Sequence, residues 1–115
     1  KTRKIKKSNS KNLENQIRVG EMLIDMHEAL SSFGIEKSRI KTRGIAVDHA
    51  VVGDIGAEGA MAHATLLLLE GRDVEVKKSY GDKLHHVMHE HIAKIEDHCA
   101  VTLEIRDMDK DTYYL

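Results

Sequence analysis

Gly59-Ala-Met-Ala-His-Ala-Thr-Leu-Leu-Leu-Leu-Glu-Gly-Arg72 is the stretch on which the fold turns. Its apolar centre, Ala60 to Leu69, could serve as a buried strand or as a piece of buried helix. Gly59 and Gly71 at its ends favour the strand. Downstream, residues 73–98 read as a long amphipathic helix, with Val76, Tyr80, Leu84, Met88 and Ile95 in one stripe at spacings of four or seven. Gly81 interrupts that stripe, at a cost of about 1 kcal/mol against alanine. Ala100 to Ile105 then alternates apolar and polar residues, as a strand does.

Upstream, Gly53, Asp54, Gly56 and Gly59 supply a turn. Before it, Ile40 to Val52 is β-branched and reads as extended. Residues 13–33 read as a helix, with Leu13, Ile17, Leu23, Ile24, Leu30 and Phe33 near a 3.6-residue period and Gly34 as its stop. Ser8, Asn9, Ser10 and Asn12 offer caps. Segment 3–10 makes a poor strand, with Ile5 as its only apolar residue.

The element order is strand, helix, strand, then the same again, in halves of about 1–55 and 56–115. This predicts one α+β domain over residues 1–115. Its β-α-β/β-α-β protomer would build a four-stranded mixed sheet with both helices on one face. The other face, if it bore Leu, Val and Ala, would need a partner, so an oligomer is expected.

The 115 residues include no proline, where average usage would give about six. This excludes a proline-rich recognition segment. Phe33, Tyr80, Tyr113 and Tyr114 are the only aromatics, which argues against a base-stacking platform or an aromatic cage. The longest apolar run, Leu66 to Leu69, is far too short to span a membrane. No signal peptide is read, and Cys99 is the single cysteine, consistent with a reducing cytoplasm. Residues 1–11 carry a charge of +6 against −7 for the remainder. Such a basic arm can contact an anionic partner, but clustered lysines also shield an edge strand. Nucleic-acid binding is not expected.

His85, His86, His89, His91 and His98 gather on or near the second helix. His85 and His89 share one face, yet the H-E-x-x-H metal arrangement is absent, and no metal or other cofactor is expected. His91 lies toward the apolar stripe and reads as a hydrogen-bonded core histidine. The glycines of 53–59 lack the Lys-Ser/Thr of a phosphate loop. Cys99 reads as a buried, inert thiol. Cations are better placed. Lys41 and Arg43 are two apart on one strand and share a side, and Arg72 follows Gly71 at the next strand's end. Such residues can converge on a carboxylate, with surface ion pairing as the alternative.

From I-K-T-R (40–43), through His63-Ala64-Thr65-Leu66, Gly71-Arg72, Gly81, Leu84, His91 and Ala93 to Leu103, the chain resembles the 5-carboxymethyl-2-hydroxymuconate isomerase family of the tautomerase superfamily. The helix ending in F-G-I (33–35) resembles the family's first helix, so the likeness covers roughly residues 10–107. It implies a trimer of stacked sheets with interfacial sites that bind a small carboxylated enol or dienol. There, arginines bind carboxylates and an amino-terminal proline moves the proton. Arg72 and Arg43 match family arginines, and Lys41 replaces one, keeping charge but losing the bidentate fork. His91 matches a histidine of the second helix. The proline's position falls at Arg3, whose guanidinium stays protonated and cannot act as a base. No catalytic residue is therefore assigned. The α-amine of Lys1, if free, is an alternative base with an ordinary pKa of about 7.7–8.0.

Overall fold

The computed structural model describes residues 2–6, 18–56, 59–93 and 99–115. Strand β1 is Thr2–Lys6. Helix α1 is Val19–Ser31. A 3-10 turn at Lys37–Arg39 leads to β2, Arg43–Val47. Strand β3 is Ala60–Leu69, α2 is Val74–Ala93 and β4 is Cys99–Met108. The strands lie in the order β2-β1-β3-β4. β1 and β2 are parallel, β3 and β4 are parallel, and β1 runs antiparallel to β3. Each parallel pair is joined through a helix, as parallel connection requires.

The decisive stretch is a strand that alternates cleanly. Ala60, Ala62, Ala64, Leu66 and Leu68 are buried, and the residues between them are half-buried. The buried set shares one core with Met22, Met26, Ala29 and Leu30 of α1 and with Tyr80, Leu84, Met88 and Ile92 of α2. Val101, Leu103 and Ile105 of β4 pack against the same core. Both helices thus cover one face of the sheet.

Several boundaries differ from the sequence reading. α1 buries Met22, Met26, Ala29 and Leu30, whereas Ile24 is 61% exposed. Unbranched methionines supply the core face that the aliphatic pattern had placed elsewhere. Residues 13–17, including Leu13 and Ile17, lie outside the described residues, as do 7–10 of the first strand and Ile95 and His98 of the second helix. The single strand expected over 40–52 is shorter. Its start is an extended link that follows the turn, and Val52 bridges back to Gly56. β4 is longer than expected because it pairs with β3 along its full length, from Ala60 opposite Cys99 to Leu69 opposite Met108.

Two glycines are explained by close approach. A Cβ on Gly81 would lie 3.1 Å from Ile105 Cδ1, so the glycine lets α2 press onto β4. One on Gly59 would lie 2.7 Å from Val52 Cβ. At the other end of β3, Asp73 starts α2 by accepting a hydrogen bond from the Val76 amide at 2.9 Å.

The open sheet face is more polar than expected. Alternation sends Ala60, Ala62, Ala64, Leu66 and Leu68 to the helices and leaves Met61, His63, Thr65, Leu67 and Leu69 on the other side. There His63 Nδ1 hydrogen-bonds Thr102 Oγ1 at 2.7 Å, and Thr65 Oγ1 lies 3.3 Å from His63 Nε2. The Arg106 guanidinium donates to Glu104 at 2.7 Å. That hydrogen bond, reinforced by the positive charge, holds the Glu104 carboxyl below the usual carboxylate range. No helix of the described residues is long and apolar enough to cross a membrane.

Candidate functional site

A cleft of about 420 Å3 opens where β3 ends. Its wall is aliphatic, made by Leu66 to Leu69 with Leu30, Ile35 and Ile40. Its charge comes from two chain segments, Arg39 and Lys41 from the link before β2 and Arg72 from the loop after β3. β1 runs antiparallel to β3 with Thr2 opposite Thr65, so β1 begins beside the Leu66–Leu69 wall.

Local structure places each cation. α1 closes with the Phe33 amide donating to the Leu30 carbonyl at 3.1 Å and that of Gly34 to Ser31 at 3.0 Å, and Gly34 adopts φ +93°. The 3-10 turn follows, with the Ile40 amide donating to the Lys37 carbonyl at 3.1 Å. Ile40 is extended and packs on the core, which sets Arg39 and Lys41 on the rim. Gly71, at φ +125°, turns the chain out of β3. Arg72 then donates to the Leu69 carbonyl at 3.3 Å, and its guanidinium carbon sits 5.8 Å from the Tyr80 ring centre. That ring is itself buried and packed against Phe33 at 4.7 Å between centroids. Arg72 is therefore supported by a carbonyl below it and an aromatic face beside it.

Of the three cations singled out from sequence, Lys41 and Arg72 meet on this cleft. Arg43 opens β2, paired with Thr2, and stands outside the lining. Arg39 was missed, although it extends the alternation of Lys41 and Arg43 by one step. The tail was missed too. The Glu70 carboxylate accepts the Lys110 amide at 3.0 Å, and Asp109 Oδ1 accepts that of Asp111 at 2.8 Å. These contacts fold the tail back, and Tyr113 and Leu115 join the lining.

The histidines serve the scaffold. His91 Nε2 lies 2.7 Å from Asp25 Oδ2 and ties α2 to α1. It is hydrogen-bonded as expected, but at the partly exposed seam between helices and not in the core. His85 Nε2 meets the Val101 carbonyl oxygen at 2.9 Å, and its ring is 6.4 Å from that of His89. Among the described residues, no three His, Cys, Asp or Glu side chains gather as a metal set. Cys99 is half-buried at the start of β4.

The family model for 5-carboxymethyl-2-hydroxymuconate isomerase matches residues 5–114. The chain belongs to that family. Its fold matches the crystal structure of a 5-carboxymethyl-2-hydroxymuconate isomerase from Deinococcus radiodurans R1 with a TM-score of 0.83, at 22% identity over 99% of this chain and 85% of that one. The W0 fused 4-OT wild-type symmetric trimer matches at 0.71, with 14% identity over 100% and 93% of the two chains. The FG41 malonate semialdehyde decarboxylase, inhibited by 3-bromopropiolate, matches at 0.55, with 17% identity over 100% and 88%. At these identities the structural likeness is one of fold. No curated protein matches the sequence. The family match reaches beyond the span recognised from motifs, into β1 and the tail.

Proposed function

We infer that this chain is an isomerase of the tautomerase type. It acts on a small carboxylated enol or dienol, with Arg3 standing where the family's proline is expected. The observation that carries this reading is the joining of Arg39, Lys41 and Arg72 on one aliphatic cleft beside the start of β1. Arg72 takes a carboxylate with its planar fork, and Lys41 acts as a point charge. The leucine wall displaces water from the ligand body and strengthens those charges, which also favour the enolate oxygen as negative charge develops. Arg43 completes the substrate-binding set proposed from the family match, although it stands outside this cleft's lining.

The proton carrier is the departure from the family. Proline is absent from these 115 residues. Arg3, at its expected position, pairs with Ala64 and Gly44 inside β1 and carries a group that stays protonated. Lys1 lies outside the described residues. The reading includes a homotrimer, supported by relatives that are trimers and by the half-buried Met61, Leu67 and Leu69 on the uncovered sheet face. The reading also includes a cytoplasmic place in the breakdown of aromatic compounds, supported by the family match and by the single cysteine.

The test is ultraviolet-monitored enol–keto conversion of phenylenolpyruvate and of 2-hydroxymuconate, across pH, by the wild type and Arg72→Ala. Conversion that Arg72→Ala abolishes supports the enzyme. Ligand binding without conversion at any pH replaces it with a non-catalytic carboxylate-binding trimer. A stable monomer in analytical ultracentrifugation removes the trimer from either account.

A further inference from the structure

The segment after β4 is brought to the cleft by one residue. Glu70 holds it at two points: its amide donates to the Met108 carbonyl at 3.0 Å, and its carboxylate accepts the Lys110 amide at 3.0 Å. The first bond continues the β3–β4 ladder, and the second catches the chain just beyond it. Residues 109–112 then close a turn of their own. Asp109 Oδ1 accepts the Asp111 amide at 2.8 Å, and the Asp109 carbonyl accepts that of Thr112 at 3.1 Å. Past Thr112, no hydrogen bond joins the segment to another of the described residues. Tyr113 and Leu115 nevertheless line the cleft. Tyr113 is 41% exposed and Leu115 95%, so apolar burial adds little to the hold and local opening is easy. Glu70 also sits between Leu69, whose carbonyl anchors Arg72, and Arg72 itself. Leu69 to Arg72 thus brace a cation of the cleft and hang the segment at its rim.

We propose that Glu70 is a positioning residue: by latching residues 109–112 it holds Tyr113 at the cleft as a flap that closes over a bound ligand. Opening breaks the Lys110 contact, one charge-assisted hydrogen bond at an exposed carboxylate, and leaves the ladder and the core intact. A ligand that touches Tyr113 favours the closed arrangement, and by linkage the latch tightens that ligand. The proposal rests on the carboxylate-binding reading of the cleft, but it concerns a residue outside the lining and needs no turnover.

Trypsin cuts after lysine, so the rate at which the native full chain is cut after Lys110, followed by intact mass, reports the open flap. Adipate, a saturated diacid that cannot tautomerise, is the probe, and calorimetry measures its binding in parallel. Saturating adipate should slow cutting of the wild type by about fivefold or more. Glu70→Ala removes both an acceptor and a negative charge, whereas Glu70→Gln removes the charge and keeps an oxygen that accepts from Lys110. Glu70→Ala should speed cutting of the free protein by about threefold to tenfold, the scale of one such bond at an exposed site, and should weaken adipate binding. Glu70→Gln should keep both within about twofold of wild type. Tyr113→Ala, which leaves the Glu70 contacts in place, should weaken adipate and reduce its protection of Lys110. Equal effects of the alanine and glutamine variants assign the role of Glu70 to its charge and overturn the proposal alone, as does adipate that binds without slowing the cutting. A wild type that does not bind adipate overturns the carboxylate reading together with it.

Discussion

Gly81 gives the sharpest test of how α2 is set against the sheet. It follows Tyr80, whose ring supports Arg72, so its packing bears on the cleft as well as on stability. Gly81→Ala brings two opposed terms. Replacing glycine inside a helix gains about 1 kcal/mol. The new methyl, however, would sit 3.1 Å from Ile105 Cδ1. That is about half an ångström inside the usual carbon contact. The obstacle is the end of a side chain, so relief by pushing Ile105 off its rotamer costs about 0.5–1.5 kcal/mol. The terms nearly cancel, and the single variant should fall within about 0.5 kcal/mol of wild type.

Ile105→Val removes the obstructing methyl. The next atoms are Leu103 Cδ2 at 3.6 Å and Ile105 Cγ1 at 3.9 Å, both ordinary contacts. Ile105→Val alone should cost about 0.5–1.5 kcal/mol. In that background Gly81→Ala should recover its full helix gain of about 1 kcal/mol. Urea unfolding followed by circular dichroism, at one fixed protomer concentration, measures all four proteins. A coupling of about 1 kcal/mol is expected. Additivity to within about 0.3 kcal/mol would refute the claim that Ile105 is what makes alanine costly at this position.

Tyr80→Leu should lose about 1–2 kcal/mol through its contacts with Phe33 and Arg72 and should weaken adipate binding, whereas Tyr80→Phe keeps the ring and should change both little. Gly59→Ala forces a Cβ to within 2.7 Å of Val52 Cβ and should cost about 1–3 kcal/mol in thermal unfolding. Val52→Ala, which retains the obstructing Cβ, should not restore it. On the open sheet face, carbon-detected NMR should find Glu104 titrating below its ordinary value, and Arg106→Gln should move it upward. The folded state favours the ionised carboxylate, so this contribution is present at neutral pH and fades as pH falls through the lowered pKa.

The second half of the chain was legible because its signals are local. Gly59 and Gly71 bracket β3, and Tyr80, Leu84 and Met88 trace the buried face of α2. The ends of β2 were not, because β-branched residues recur from Ile40 to Val52 through an extended link, the strand and a bridge. β2 is also an edge strand, and Ile45 is 43% exposed, so burial did not sharpen its pattern. Lys41 and Arg72 could be chosen from strand ends alone. Arg39 was hidden by the turn that places it, and the tail by a contact between Glu70 and Lys110, forty residues apart. Nothing in either local sequence specifies such a pairing.

The central claim is that Arg39, Lys41 and Arg72 form one carboxylate site. Its most direct test is a titration of the 15N-labelled protein with adipate, followed through backbone amide shifts. The account predicts saturable shifts concentrated at residues 38–41 and 66–72, and their loss in Arg72→Gln. Saturable shifts centred elsewhere, or none at these residues at saturating adipate, would contradict it.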